Sequence, residues 1–128
     1  MIITVDSDKP LDRVCEALPQ ACADHRFGVM AVHDLKAKMK EKGVEFASEC
    51  RVFEVCNPQA AKRVLEAEPM IGAALPCRIA VFPAGNGRTR LATIRPTALT
   101  ALFSAKGLQP VAAEIEKTLE AIMNDAAH

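Results

Sequence analysis

Two thiols carry most of the chemical potential of this 128-residue chain. Cys56 stands directly ahead of Asn57-Pro58, an Asn cap followed by proline at the first helical position. Unpaired N–H groups and the helix dipole at such a start favour a thiolate, so Cys56 is the candidate nucleophile. Cys77, after Leu75-Pro76, opens an apolar run and is the candidate resolving or second thiol. Asn57, Glu68 and His33 are the candidate ligand-binding groups. Glu66 and Glu68 are two apart near a helix end and project in different directions, so they make no acid/base pair. No serine or carboxylate partner is placed by spacing beside His33, and a structural histidine is its default.

The other cysteines are Cys15, Cys22 and Cys50, and the total of five is odd. Cys15 and Cys22 lie two helical turns apart, roughly 10 Å along the axis, too far for a disulfide. Cys50 and Cys56 share a strand face but are separated by roughly 20 Å. No C-x-x-C or C-x-x-H spacing exists, so a zinc site of the usual kind is not expected, and no cofactor is named by any motif. Free cysteine commonly packs as a small hydrophobe, which is the default for all five. Whether Cys56 and Cys77 meet depends on topology. A parallel crossover would leave them at opposite sheet ends, and an antiparallel return would bring them to one end.

The elements that must position these thiols are readable from periodicity. Met1–Asp6 reads as a strand. Ser7 or Asp8 caps a helix with Pro10 in its first turn, and Leu11, Val14, Cys15, Leu18 and Cys22 form its apolar face. Pro19 predicts a kink or break. Phe27–His33 is a second strand with Phe27, Val29 and His33 on one face, followed by a short helix from Asp34 to Gly43. Cys50–Cys56 is a third strand. The Pro58 helix buries Ala61, Val64 and Leu65 and stops before Pro69. Gly85-Asn86-Gly87 joins strands Cys77–Pro83 and Arg88–Ile94 as a hairpin. Pro96 opens a helix to about Lys106, and Val111–Asn124 is a final amphipathic helix whose broad apolar stripe is a candidate dimer surface. The expected fold is α+β: a two-layer sandwich with an about five-stranded mixed sheet and helices mainly on one face.

Composition narrows the function classes. One domain spans 1–128, with half of its residues apolar. Sixteen basic and sixteen acidic side chains cancel, which argues against nucleic acid and anionic membrane as partners and favours self-association. Tyr and Trp are absent, so the aromatic anchors of base-stacking surfaces are missing. No leader-like start and no membrane-length apolar run is present, and the scattered free thiols point to a reducing cytoplasm. Lys36, Lys38, Lys40 and Lys42 do not line up at helical spacing and read as a solvated surface.

The ordered series of motifs resembles the small bacterial and archaeal family called domain of unknown function 302 (DUF 302). The residues that carry it are Phe27-Gly28-Val29, Asp34-Leu35-Lys36, Cys56-Asn57-Pro58, Leu65-Glu66-Ala67-Glu68-Pro69 with Ile71-Gly72, Leu75-Pro76-Cys77 and Ile94-Arg95-Pro96. They run from about Phe27 to Leu102. The resemblance implies an α+β domain associating as a homodimer, and it brings no activity with it. Where the family usually has an acid ahead of the Pro96 helix, this chain has Arg95. A cation there is unfavourable, so Arg95 is expected to turn away or to pair with a carboxylate.

Two functional readings follow. In the first, the chain is a non-catalytic homodimer that binds a small molecule or a protein partner. In the second, it is a thiol-dependent redox or persulfide-carrying protein that uses Cys56 and Cys77. Metal or haem ligation by His33 with a cysteine is a remote third.

Overall fold

Gly85, Asn86 and Gly87 all take positive φ (88°, 55° and 75°), a run that glycine and asparagine accept at little steric cost. That turn folds Cys77–Gly85 back on Arg88–Ile94 and supplies the middle of the sheet. A computed structural model describes residues 1–128. In chain order it contains β1 (Ile2–Ser7), α1 (Leu11–Asp24), β2 (Gly28–Asp34), α2 (Leu35–Glu41), β3 (Arg51–Cys56) and α3 (Pro58–Ala67). A 3-10 segment (Pro69–Ala74), β4 (Cys77–Gly85), β5 (Arg88–Ile94), α4 (Pro96–Thr100) and α5 (Leu108–Ala127) follow.

The five strands form one sheet in the order β1-β5-β4-β3-β2. Every neighbouring pair is antiparallel, which corrects the expected mixed sheet. The reason lies after β3. There α3 and the 3-10 segment return the chain to the sheet end it has just left, so β4 runs back beside β3.

Alternate strand residues Ile3, Phe53, Val55, Ile79, Val81 and Leu91 join Val14, Leu18, Ala21 and Cys22 of α1 and Leu119, Ile122, Met123, Ala126 and Ala127 of α5 in one core. A smaller cluster of Val64, Ile71 and Leu108 fills the space under α3, the 3-10 segment and the start of α5. The broad stripe of α5 is therefore buried within the chain's own core, and the expectation that it is left free to face a second copy is corrected. Its breadth reflects two neighbours, since it packs under the sheet and against α1.

Local departures have local causes. The start of α1 is Pro10 in extended conformation, not a Ser7 or Asp8 cap. Ser7 instead donates to the Ala127 carbonyl at 2.6 Å, tying the end of β1 to the end of α5. Pro19 does not end α1. It removes one hydrogen bond, while Leu18, Ala21 and Cys22 around it are buried and hold both turns in place. α3 buries Ala60 and Val64, one position earlier than expected for the first of them, and Leu65 is left exposed.

α4 is one short turn, Pro96–Thr100, where a helix to Lys106 was expected, and α5 begins only after Gly107 at φ 84°. Arg95 does find carboxylates, at 3.1 Å from Glu116 and 3.6 Å from Glu120 of α5. Glu116 also accepts from the Thr97 hydroxyl at 2.7 Å and the Thr97 amide at 3.3 Å. The acid missing at the cap of α4 is thus supplied from α5.

Candidate functional site

The antiparallel ladder brings the two thiols to one end of the sheet. Val55 pairs directly with Cys77, so Cys56 sits one residue past that pair, its Cα roughly 6 Å from that of Cys77 by strand spacing and rise. Both line one small void of about 20 Å³ with Phe27, Val55, Ala60 and Leu75. Each thiol also borders its own open cleft. Cys56 lines a cleft of about 580 Å³ with Val29, Met30, Ala61, Leu65 and Leu75. Cys77 lines another, of about 330 Å³, with Arg78, Ile94, Leu99, Leu102 and Phe103. Pro76, after a cis peptide from Leu75, lies in the walls of both clefts.

The larger cleft follows from the sequence around it. Gly28 pairs with Cys56 across the β2–β3 ladder, and a Cβ placed at Gly28 would meet nothing within 4 Å. A missing side chain there leaves open space over the end of β3. One wall is α3, started by Pro58, and the other is the 3-10 segment. No charged side chain lines it.

Burial governs the thiols. It pushes Cys77 up to about 11, with the neighbouring Cys56 adding to the rise. It pushes Cys56 upward as well. The expected acidification of Cys56 by the α3 amides is therefore not met. Asn57 Oδ1 already accepts from Gln59 N at 3.0 Å and Ala60 N at 3.2 Å. The cap residue, and not the sulfur ahead of it, takes the positive end of α3.

The other candidate residues are dispersed. Asn57 lines the small void, with its side-chain oxygen committed to the cap. Glu68 joins α3 to the 3-10 segment and lines neither cleft. His33 pairs with Val52, four strand positions from Cys56 and about 14 Å away along the ladder. Its face is also corrected. Val29 pairs with Val55 but Ala31 with Glu54, so Met30 is a bulged extra residue that reverses the alternation beyond it. Val29 packs on the core, whereas His33 lies on the other face, 2.8 Å from Glu54, which Arg78 also approaches at 3.8 Å.

Sequence reasoning missed Met30 as a cleft residue, Glu54 as the partner of His33, and Glu116. Only Gly28, beside strand residues with no other glycine, was a local signal for the cleft. The partners of His33 and Arg95 are remote in sequence, and no spacing announces them. No three His, Cys, Asp or Glu side chains come together as a metal-binding group, and no helix is long and apolar enough to cross a membrane.

This geometry has a close counterpart. A crystal structure of the uncharacterized conserved protein DUF302 from Bacillus stearothermophilus is similar at 34% identity, covering 98% of this chain and 97% of that one with a TM-score of 0.90. No curated protein matches the chain. The family model described as "Domain of unknown function DUF302" matches residues 3–126, so the chain belongs to the DUF302 family.

Proposed function

We propose that this chain binds a small apolar molecule in the cleft beside Cys56 and works as a homodimer. The observation that carries the first part is the cleft itself: about 580 Å³, uncharged, with a thiol in its lining. Ligand sites commonly enclose roughly 300–1,000 Å³ and are lined mainly by apolar groups. Asn57 supports the site by fixing the start of α3, and Glu68 by joining that helix to the opposite wall.

The dimer reading draws on the sheet face opposite the core, in a two-layer arrangement with helices over one side. Ile2, Ala31, Val52, Ala80, Ala92 and Ile94 alternate with the core residues along their strands. Charges among them are already paired, Asp6 with Arg90 at 2.6 Å and Glu54 with His33. A second copy of this neutralised face would meet it without repulsion. A reducing cytoplasm fits five unpaired thiols.

The position of Cys56 and Cys77 at one end of neighbouring strands favours a second reading, a redox thiol pair, although strand alternation turns their side chains to opposite faces. Burial-raised thiols weigh against it, because a neutral thiol is a poor nucleophile at pH 7.

The test uses the fluorescent apolar probe anilinonaphthalene sulfonate. One probe per chain is expected, displaced in an Ala61→Phe variant that fills the cleft. Equal binding by that variant, folded by circular dichroism, would rule out the cleft. In light scattering the expected mass is twice 13.8 kDa, falling to the monomer in Ala92→Arg. A wild-type monomer at micromolar concentration ends the dimer reading.

A further inference from the structure

The two apolar clefts are linked beneath the 3-10 segment by two small voids, one of about 20 Å³ and one of about 30 Å³. The larger cleft shares Cys56, Ala61 and Leu75 with the first void. The first void shares Val64, Leu75, Cys77 and Ile115 with the second. The second shares Ala74, Cys77 and Leu99 with the smaller cleft. The four spaces therefore follow one another in a single row. It is open at both ends and pinched in the middle by Leu75, which borders the larger cleft and both voids.

An occupant of such a row has to be long, thin and apolar along its middle, because no charged side chain lines either void. The two ends differ. No charged residue lines the larger cleft, and Arg78 is the one charged residue lining the smaller. The Arg78 side chain is more than half exposed, and its Nε stands 3.8 Å from Glu54. That carboxylate oxygen is already hydrogen-bonded to His33 at 2.8 Å. Most of the five guanidinium donors are left for an anion.

We infer that this row is a channel for a long-chain monocarboxylate, its head held by Arg78 at the smaller cleft and its chain passing Leu75 into the larger one. The inference rests on the apolar-ligand reading above and names the chemical class of that ligand. The roof of the channel suits a threaded chain. It is the 3-10 segment, six residues of a helix type seldom sustained beyond three or four. Ile71 alone of its residues is buried, in a cluster with only Val64 and Leu108. Leu75 at the pinch is half-buried. An element with so few buried anchors opens locally at low cost. Binding needs no covalent or redox step.

Calorimetry and probe displacement on the delipidated full chain test this, with each fatty acid kept below its micelle concentration. One hexadecanoate per chain should bind and displace anilinonaphthalene sulfonate from the larger cleft. Octanoate, held at Arg78, should be too short to pass Leu75 and should leave the probe in place. Between octanoate and dodecanoate, affinity should rise by up to about fourfold per added methylene. Arg78→Gln should weaken dodecanoate by about 10-fold or more and leave dodecanol unchanged, a split that mere structural damage would not produce. Ala73→Phe, at an exposed position in the wall of the smaller cleft, should block hexadecanoate and spare the probe. Three results would each overturn the channel: octanoate displacing the probe as fully as hexadecanoate at equal occupancy, equal effects of Arg78→Gln on acid and alcohol, or full hexadecanoate binding by Ala73→Phe. The two readings fail separately. A chain that takes up no probe defeats both, whereas one whose bound probe resists hexadecanoate defeats the channel alone.

Discussion

Two ends of the molecule are packed in different ways. Under α1 and the second half of α5, sixteen buried residues close into one core. Under α3, the 3-10 segment and α4, only Val64, Ile71 and Leu108 form a buried cluster. The two apolar clefts and the small void lined by both Cys56 and Cys77 gather at this second end, while the cleft at the first end, between Gln20, Asp24, Asn124 and Asp125, is polar. The first end has side chains from the strands, α1 and α5 that meet in one cluster. At the second, short elements joined by prolines and glycines meet at Leu75-Pro76 without filling the space. The lesson is that stability and adaptable surface are divided along the sheet, and the thiols fall on the adaptable side.

The sharpest way to break this contrast is to cut both clusters. Leu119→Ala, at the centre of the large core, should cost toward the top of the range of about 2–5 kcal/mol in urea denaturation, whereas Leu108→Ala in the small cluster should cost toward its bottom. Equal costs for these two like substitutions would remove the contrast. Next in size is Glu116→Ala. It strips the acceptor from Arg95 and Thr97, groups that bind α4 to α5, and should cost about 1–3 kcal/mol. Asn57→Ala uncaps α3 beside the cleft and should cost about 1 kcal/mol, with probe binding weakened in step.

Alkaline pH gives the smallest and most graded test. Burial raises Cys22 at the closed end and Cys77 at the open end, each to about 11 from 9.0. A thiol that holds its proton longer when folded contributes stability below the unfolded value, and that contribution disappears as pH rises from 9 toward 11. Stability should therefore fall across this window. Cys22→Ala and Cys77→Ala should each flatten the slope, as followed by denaturant melts at stepped pH. An unchanged slope in Cys77→Ala would mean that its sulfur is more open to water than its packing implies.

Much of the fold was legible because its signals are local. The Asn57-Pro58 start of α3, the start of α2 at Asp34 and the Gly85-Asn86-Gly87 turn depend on a few neighbouring residues and occur where expected. The sheet's direction was not legible, because it depends on where α3 and the 3-10 segment deliver the chain. His33 was assigned to the wrong face because counting by twos cannot detect the bulge at Met30. At the site, the thiols were found by type and position, but their acidity was read with the wrong sign. A helix start visible in sequence suggests positive charge. Burial, and the prior claim of Asn57 on the amides, are visible only in three dimensions. The pairing of Arg95 with a carboxylate was anticipated from charge at a helix start, and α5 supplies the partner.

Native-state amide hydrogen exchange tests the division between the two ends most directly. Amides around Leu91 in β5 and from Leu119 to Met123 in α5 should exchange only through global unfolding. Those of the 3-10 segment and α4 should open at a free energy well below it. Equal protection at both ends, with Ile71 and Thr100 as slow as Leu119, would contradict the assignment of adaptable surface to the end that carries Cys56 and Cys77.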